Sequence, residues 1–448
     1  RGFDTFVGYC SGHWGDYFDA ELERDGVYFQ SKGYIVDVQA NEAMKFIEQN
    51  AKKNEPFFCY IPLATPHSPM QVPDKYWDRH KDKPFQMQHK QANAHTRAAL
   101  AMVENIDDNV GRVLKKLDEL ELDDNTIVIY FSDNGPNGAR WNNGMRGRKG
   151  SVDEGGTRSA MFMRWPGTIV AGKTVKPIAG AIDLLPTLID LARIERVGDK
   201  PIDGTSLTAL LTTEQDIAWQ QRRIFVRQAG RVSVRTETHR LDDKGRLYDM
   251  IKDPGQQTDI AKQDPQLADT LRNAVASWRE EVGLNQKPKK QPFTVGHADW
   301  PLTELPARDA TNKGKIKRSS IHPNCSYFFN WTSKDDSIVW DAEVLTAGRY
   351  EALVYYACPK DDVGSTIELR FGNAKVSGKV TEAHDPPLEG AAQNKIDMRE
   401  SLTKAFKPMS LGVIELPAGR GELSLHATDI PGGQALEFRR LILRRVAE

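Results

Sequence analysis

Residues 126–131, TIVIYF, form an unbroken β-branched and aromatic run that stops at Ser132-Asp133-Asn134-Gly135. A short run without polar interruption suits a strand buried on both faces, the environment of a parallel sheet. Open sheets of that kind bind ligands beyond the carboxyl ends of their strands. Asp133 and Asn134 stand at that end and offer a carboxylate and an amide, oxygen ligands suited to a hard divalent cation. The loop that follows is rich in Gly and Asn and carries Arg146, Arg148 and Lys149, which suit an anion. Glu154-Gly155-Gly156 then leads into a second apolar run at 160–165. Together these residues suggest a metal-assisted site for an anionic ester. The competing account is an Asp-Asn-Gly turn followed by a solvated basic loop.

The rest of the chain supplies a setting for this stretch. Residues 34–53 have apolar positions at helical spacing, and Asn54-Glu55-Pro56 stops them. Residues 57–63, FFCYIPL, read as a second buried strand, with His67 just past its end in Pro66-His67-Ser68-Pro69. Residues 92–120 predict a long helix with a stripe at Leu100, Val103, Ile106, Val110, Val113, Leu114 and Leu117. Strand, long helix and strand in that order make a βαβ unit, hence a parallel sheet. A further helix is expected over 181–194, with Pro186 early enough to be tolerated. From about residue 220 the pattern changes to short alternating strands at 223–228, 231–238 and 246–250, followed by a helix at 265–282. Residues 286–321 are Pro- and Lys-rich and read as a linker. Beyond them come strand candidates at 337–344, 349–357, 366–371, 409–416, 421–427 and 437–444, which indicate a β-sandwich.

Composition narrows the function. The chain has 61 Lys and Arg against 62 Asp and Glu, so no global field points to nucleic acid. No window approaches the ~18 consecutive apolar residues of a membrane span. Cys10, Cys59, Cys325 and Cys358 lack the spacing of a zinc cluster. Cys59, inside an apolar run, reads as a buried thiol.

With these pieces in order, the chain resembles the sulfatase family of the alkaline phosphatase superfamily, in the manner of arylsulfatases and N-acetylgalactosamine-6-sulfatases. Gly2-Phe3-Asp4-Thr5-Phe6-Val7-Gly8 resembles that family's GFDxFxG, and Gly33-Tyr34-Ile35-Val36-Asp37 its GYxTD with Val36 in place of Thr. Pro66-His67-Ser68-Pro69 is similar to its PHxP. Ser132-Asp133-Asn134-Gly135 is similar to its SDNG, and 146–158 to RGxKGxxxEGGxR. Asp183-Leu184-Leu185-Pro186-Thr187, Asp203-Gly204-Thr205-Ser206-Leu207 and Leu247-Tyr248-Asp249-Met250 with Asp253-Pro254 are later landmarks. The resemblance covers residues 1–285 and implies an alkaline-phosphatase-like α/β domain at 1–220, N-terminally incomplete. A small α+β subdomain at 221–285, a linker at 286–321 and a carbohydrate-binding-module-like β-sandwich at 322–448 complete the expected architecture.

What the resemblance implies about chemistry is a Ca²⁺-dependent sulfuric ester hydrolase for a sulfated small molecule or glycan, with Mg²⁺ as the alternative ion. Asp133 and Asn134 would be metal ligands. Lys149 would contact the sulfate and the leaving-group oxygen. His67 would bind sulfate and protonate the leaving alcohol. The family's nucleophile is a formylglycine made from Cys or Ser in C/S-x-P-x-R, upstream of GFDxFxG. Cys10-Ser11-Gly12-His13, Cys59-Tyr60-Ile61-Pro62 and Cys358-Pro359-Lys360 do not fit that pattern. The resemblance therefore implies a chain that is inactive as it stands, with an apolar sheet edge left open. By the same resemblance the protein is periplasmic or secreted, although no signal peptide is present. Glu154 and Arg158 are expected to pair structurally. Arg146 and Arg148 are weaker candidates for the anion, as His13, Trp14 and Trp141 are for a sugar. Trp331, Trp340, Tyr355 and Tyr356 are expected in the sandwich core, with a sugar platform as the alternative. The alternatives to a sulfatase are a phosphatase or phosphonate monoester hydrolase of the same superfamily, or a non-catalytic glycan-binding remnant. Oligomeric state is not legible.

Overall fold

The helical period at 34–53 produces a helix at Ile35–Lys53, which buries Ile35, Val36, Ala40, Ala43 and Ile47 along one stripe. Asp37 in its first turn accepts hydrogen bonds of 2.9 and 2.7 Å from the Asn105 and Asn109 amides of the long helix Lys90–Glu119. The computed structural model in which these elements are seen describes residues 2–9, 16–53, 55–85, 90–138, 140–286, 290–322 and 325–446. The long helix uses its apolar stripe only in part. Leu100 and Val103 are exposed, while Ala98, Ala101, Met102, Asn105 and Ile106 are buried on the face that meets Asp37. The chain divides into two units. One comprises residues 1–86, 93–113 and 290–448, and the other comprises 87–92 and 114–289.

The first unit contains a three-stranded antiparallel sheet, Val7–Gly8, Glu21–Arg24 and Val27–Gln30, and the β-sandwich. One sandwich sheet runs in the order Phe293–Val295, Ser337–Val344, Gly419–Asp429, Thr366–Phe371, Ala374–Lys379, with Thr311–Lys313 also on Ser337–Val344. The other runs Lys317–Arg318, Phe328–Phe329, Glu437–Arg445, Gly348–Ala357, Lys407–Leu416, with Leu302–Pro306 also on Glu437–Arg445. Inward-facing residues of both sheets, among them Trp340, Tyr350, Leu369, Leu425 and Leu441, make one continuous core together with Trp331. Arg440, on the last strand, holds the three-stranded sheet to the sandwich. Its guanidinium lies between the rings of Tyr28 and Tyr355, 4.4 and 4.0 Å from their centroids, and pairs with Glu21 and Glu304. Burial works against its charge, but the two carboxylates more than compensate and hold its proton.

In the second unit, Val128–Phe131 pairs antiparallel with Met161–Arg164. A short 3-10 turn at Ala181–Asp183 opens the helix Leu184–Ala192, whose Pro186 lies in the first turn. Asp183 is fully buried. It accepts from the backbone N–H groups of Gly180 and Thr205 and from both terminal nitrogens of Arg222, at 2.7 and 2.9 Å. Strands Ile224–Gln228, Arg231–Arg235, His239–Leu241 and Leu247–Asp249 form an antiparallel sheet. Helix Pro265–Glu281, capped by Asp264 on the Leu267 N–H, packs on that sheet through Ala268 and Leu271.

The mixed α/β class with several sheets is as expected; two local expectations are corrected. Residues 57–63 form no strand, and Phe58 and Tyr60 are 66% and 61% exposed. With it goes the βαβ unit, since Val128–Phe131 takes an antiparallel partner and leaves Phe131 exposed. An apolar run signals capacity for burial on both faces, but the partner strand is set non-locally. The second correction concerns 286–321. Instead of a bare linker, it supplies Phe293–Val295, Leu302–Pro306, Thr311–Lys313 and Lys317–Arg318 to the sandwich sheets. These strands are only two to five residues long, so their local pattern is weak.

Candidate functional site

The turn after Val128–Phe131 and the basic loop after it are locked together by backbone hydrogen bonds. Gly135 N–H donates to Gly156 C=O at 3.1 Å, Lys149 N–H to Pro136 C=O at 2.9 Å, and Gly155 N–H to Arg146 C=O at 2.7 Å. Ser159 adds a side-chain bond to the Ser132 carbonyl, 2.6 Å. The glycines are needed for this closeness. A Cβ on Gly135 would lie 2.0 Å from the Gly155 carbonyl oxygen, and one on Gly155 2.6 Å from the Gly147 carbonyl oxygen. Asp133, Asn134 and Lys149 are thereby brought onto one loop cluster.

Asp133 is exposed, and its carboxylate has no protein partner among the described residues. The Asn134 amide nitrogen donates to the Gly135 carbonyl at 2.9 Å, a bond that does not use its oxygen. The half-buried Lys149 ammonium has no partner among the described residues. Two hard oxygen donors on a backbone-locked turn fit a divalent ion in kind, and form part of a shell that for Ca²⁺ holds about six to eight oxygens. Among the described residues there is no cluster of three or more His, Cys, Asp and Glu side chains that could hold a metal.

The other cations of the loop divide by environment. Arg146 donates to the Tyr248 hydroxyl at 2.6 Å, stacks on that ring at 5.3 Å, and lies 3.6 Å from Asp242 and 3.7 Å from Asp153. It is spent on structure. Arg148 is exposed with no partner among the described residues. Glu154 pairs with Arg158 at 3.5 Å, as expected, but its closer partners come from the antiparallel sheet, Arg240 at 2.7 Å and Arg235 at 3.3 Å. Burial pushes the Glu154 carboxyl up, but the charges of Arg240 and Arg235 outweigh it and hold it below the usual carboxylate range. Arg235 and Arg240 escaped the sequence reading, because an arginine on a short strand reads as a solvent-facing residue.

His67 belongs to the first unit. Its Nδ1 lies 2.9 Å from the Ser68 carbonyl. A carbonyl only accepts, so Nδ1 carries the proton in that bond. The Tyr17 hydroxyl donates to the same Ser68 carbonyl at 3.1 Å and to that of His67 at 3.3 Å. Tyr17 is fully buried and was not anticipated; an aromatic in a glycine-rich segment carries no distinguishing signal. Trp141 is 84% exposed. His13 and Trp14 lie outside the described residues. Trp331, Trp340, Tyr355 and Tyr356 are all buried, at 8% exposure or less, as core residues.

The family profile described as Sulfatase matches residues 1–194, and that of N-sulphoglucosamine sulphohydrolase, C-terminal, matches residues 148–281. The uncharacterized sulfatase YdeN of Escherichia coli K12 is 32% identical over 220 residues, 46% of this chain and 36% of its own length. Human N-acetylgalactosamine-6-sulfatase is 28% identical over 234 residues, 47% and 42% of the two chains. The chain thus spans less than half the length of these two relatives. Among solved structures, Ps i-CgsB superposes with a TM-score of 0.54 at 24% identity, covering 62% of this chain and 66% of that one. A protein solved in complex with its substrate D-glucosamine-2-N,6-O-disulfate gives 0.53 at 20%, covering 65% and 78%. These structural likenesses concern the fold, which is that of the alkaline-phosphatase-like sulfatases. No helix of the described residues is long and apolar enough to cross a membrane. On these matches and the motifs they contain, the chain belongs, over residues 1–281, to the sulfatase family.

Proposed function

We propose that this chain carries the cation- and sulfate-binding part of a sulfuric ester hydrolase for sulfated carbohydrate, in a periplasmic or secreted protein. The observation that carries the reading is the backbone lock between the Asp133-Asn134 turn and the Lys149 loop, which sets two oxygen-bearing side chains and an ammonium without a partner among the described residues on one loop cluster. Asp133 and Asn134 would hold a Ca²⁺ ion. When bound, such an ion supplies Lewis-acid stabilisation of charge on a sulfate oxygen. Lys149 places a positive charge where a sulfate ester and its leaving oxygen carry negative charge. His67, held through its Nδ1–H on the Ser68 carbonyl, would in its doubly protonated form give the Nε2 proton to a leaving alcohol. The carbohydrate assignment rests on the relatives, two of which are N-acetylgalactosamine-6-sulfatase and a protein solved with a sulfated glucosamine.

No Cys or Ser of the chain stands in C/S-x-P-x-R, so by this reading the 448 residues bind a sulfated sugar without turning it over. Calorimetric titration of the chain with CaCl₂, then with a sulfated monosaccharide and its desulfated counterpart, tests the reading. Binding of Ca²⁺ that weakens at least tenfold, about 1.4 kcal/mol, in Asp133→Ala supports it. Equal affinity for the sulfated and desulfated sugars would overturn it. Robust turnover of an arylsulfate by the chain would overturn the absence of a nucleophile.

A further inference from the structure

The β-sandwich makes a direct connection to the turn that carries His67. Gln71, four residues beyond His67 and fully buried, is the hub. Its Oε1 accepts the Tyr17 N–H at 2.7 Å, and its Nε2 donates to the Gly390 carbonyl at 2.8 Å and to Asn394 Oδ1 at 3.2 Å. Gly390 and Asn394 lie in the long loop between the sandwich strands Ala374–Lys379 and Lys407–Leu416. That loop is anchored independently. Asn394 Nδ2 donates to Ser401 Oγ at 2.8 Å and to the Met398 carbonyl at 3.3 Å, and Lys395 N–H donates to the Met70 carbonyl at 2.9 Å. On the other side of Gln71, Tyr17 extends its hydroxyl to the Ser68 carbonyl, the acceptor that fixes the His67 imidazole. A buried amide with all these bonds made is costly to disturb, since an orphaned donor or acceptor costs about 1–3 kcal/mol.

We propose that residues 389–401 of the sandwich, acting through Gln71 and Tyr17, position the His67 ring, so that Asn394 and Gln71 are positioning residues for the sulfatase site. The sandwich then serves as a scaffold for the His67 turn. The inference rests on the proposed role of His67 for its purpose, but the coupling itself is measured separately.

The test uses the full chain with ring-¹³C-labelled histidine and assigns the His67 signal by its loss in His67→Gln. The parent and Asn394→Ala are titrated with pH, and then with sodium sulfate against sodium chloride at matched ionic strength. The expected result is a displaced His67 resonance and a changed His67 titration midpoint in Asn394→Ala. The His426 signal, from strand Gly419–Asp429 and outside this hydrogen-bond network, stays in place and reports an intact fold. Tyr17→Phe, which removes only the hydroxyl at the far end of the relay, produces the same selective change. A His67 signal and midpoint identical to the parent in both folded variants overturns the proposal. The sulfate arm separates the two readings. Sulfate that moves His67 in the parent while both variants match it sinks the positioning role alone. A parent His67 blind to sulfate sinks the sulfate-binding role of that residue, while the coupling is still decided by the pH titration.

Discussion

Arg240 Nη2 lies 2.7 Å from Oε2 of Glu154, with only 3% and 7% of the two side chains exposed. The pair ties the end of the basic loop to the antiparallel sheet, 86 residues on in the chain. Removing one partner of a buried ion pair strands the other and costs about 3–5 kcal/mol. Arg240→Ala is therefore expected to lower stability by roughly that amount, measured as a drop in the urea midpoint with an unchanged slope. The pH dependence has a definite sign. The Glu154 carboxyl is held below its usual 4.5, so its contribution is fully present above that value and fades as pH falls through the lower, folded-state value. Acid titration of stability in Glu154→Gln should be flatter below pH ~4.5 than in the parent.

Gly135→Ala tests the lock directly. The new methyl would sit 2.0 Å from the Gly155 carbonyl oxygen, and that neighbour is backbone with little freedom to yield. Overpacking of this kind costs about 1–3 kcal/mol. Ca²⁺ affinity should fall with it, because the Asp133-Asn134 turn must move. Calorimetric titration alongside thermal melting measures both losses.

Trp340 is 2% exposed and meets Phe438 edge-on, with ring centroids 5.8 Å apart. Trp340→Ala should cost about 3–5 kcal/mol, read from chemical denaturation. A sugar-platform residue would behave in the opposite way, losing glycan affinity with stability intact.

Cys325 and Cys358 are buried, and burial pushes both thiols up to about 11. The thiolate is the reactive form, so at pH 8 only about one molecule in a thousand carries it at either position. Brief treatment with an alkylating reagent should leave both unmodified in the native protein and label both in 6 M guanidinium chloride. Peptide mass spectrometry distinguishes the two.

How far the residues disclosed the fold depends on how local the determining forces are. Strands Ser337–Val344 and Thr366–Phe371 coincide with their expected bounds, the first as a largely buried run rich in β-branched and aromatic residues and the second by alternation of buried and more open positions. Strand Ala374–Lys379 was not anticipated, since two lysines and a glycine in six residues hide its pattern and its partner is its neighbour Thr366–Phe371. Residues 57–63 err the other way, for FFCYIPL has the composition of a strand and nothing in it names a partner. Asp133, Asn134 and Lys149 could be singled out as candidates because the motif fixes residue types at fixed spacing. The glycines around them were legible only as motif letters; their reason, the approach of Gly135 to Gly155, is a three-dimensional fact. Gln71 gave no signal at all, because its side-chain partners lie 54 to 323 residues away.

The clamp formed by Tyr28, Arg440 and Tyr355 has a consequence for biosynthesis. Glu21 and Arg440 are 419 residues apart, so the N-terminal sheet meets its counter-charge only when the last strand leaves the ribosome. At about 5–20 residues per second, translation keeps that sheet waiting for roughly 20 to 80 s. During that interval Glu21 and the face of Tyr28 stand without their cation, and Glu304 and Tyr355 join them only as they are made. A nascent chain stalled before residue 440 should accordingly expose this sheet to proteases and chaperones that the finished protein excludes.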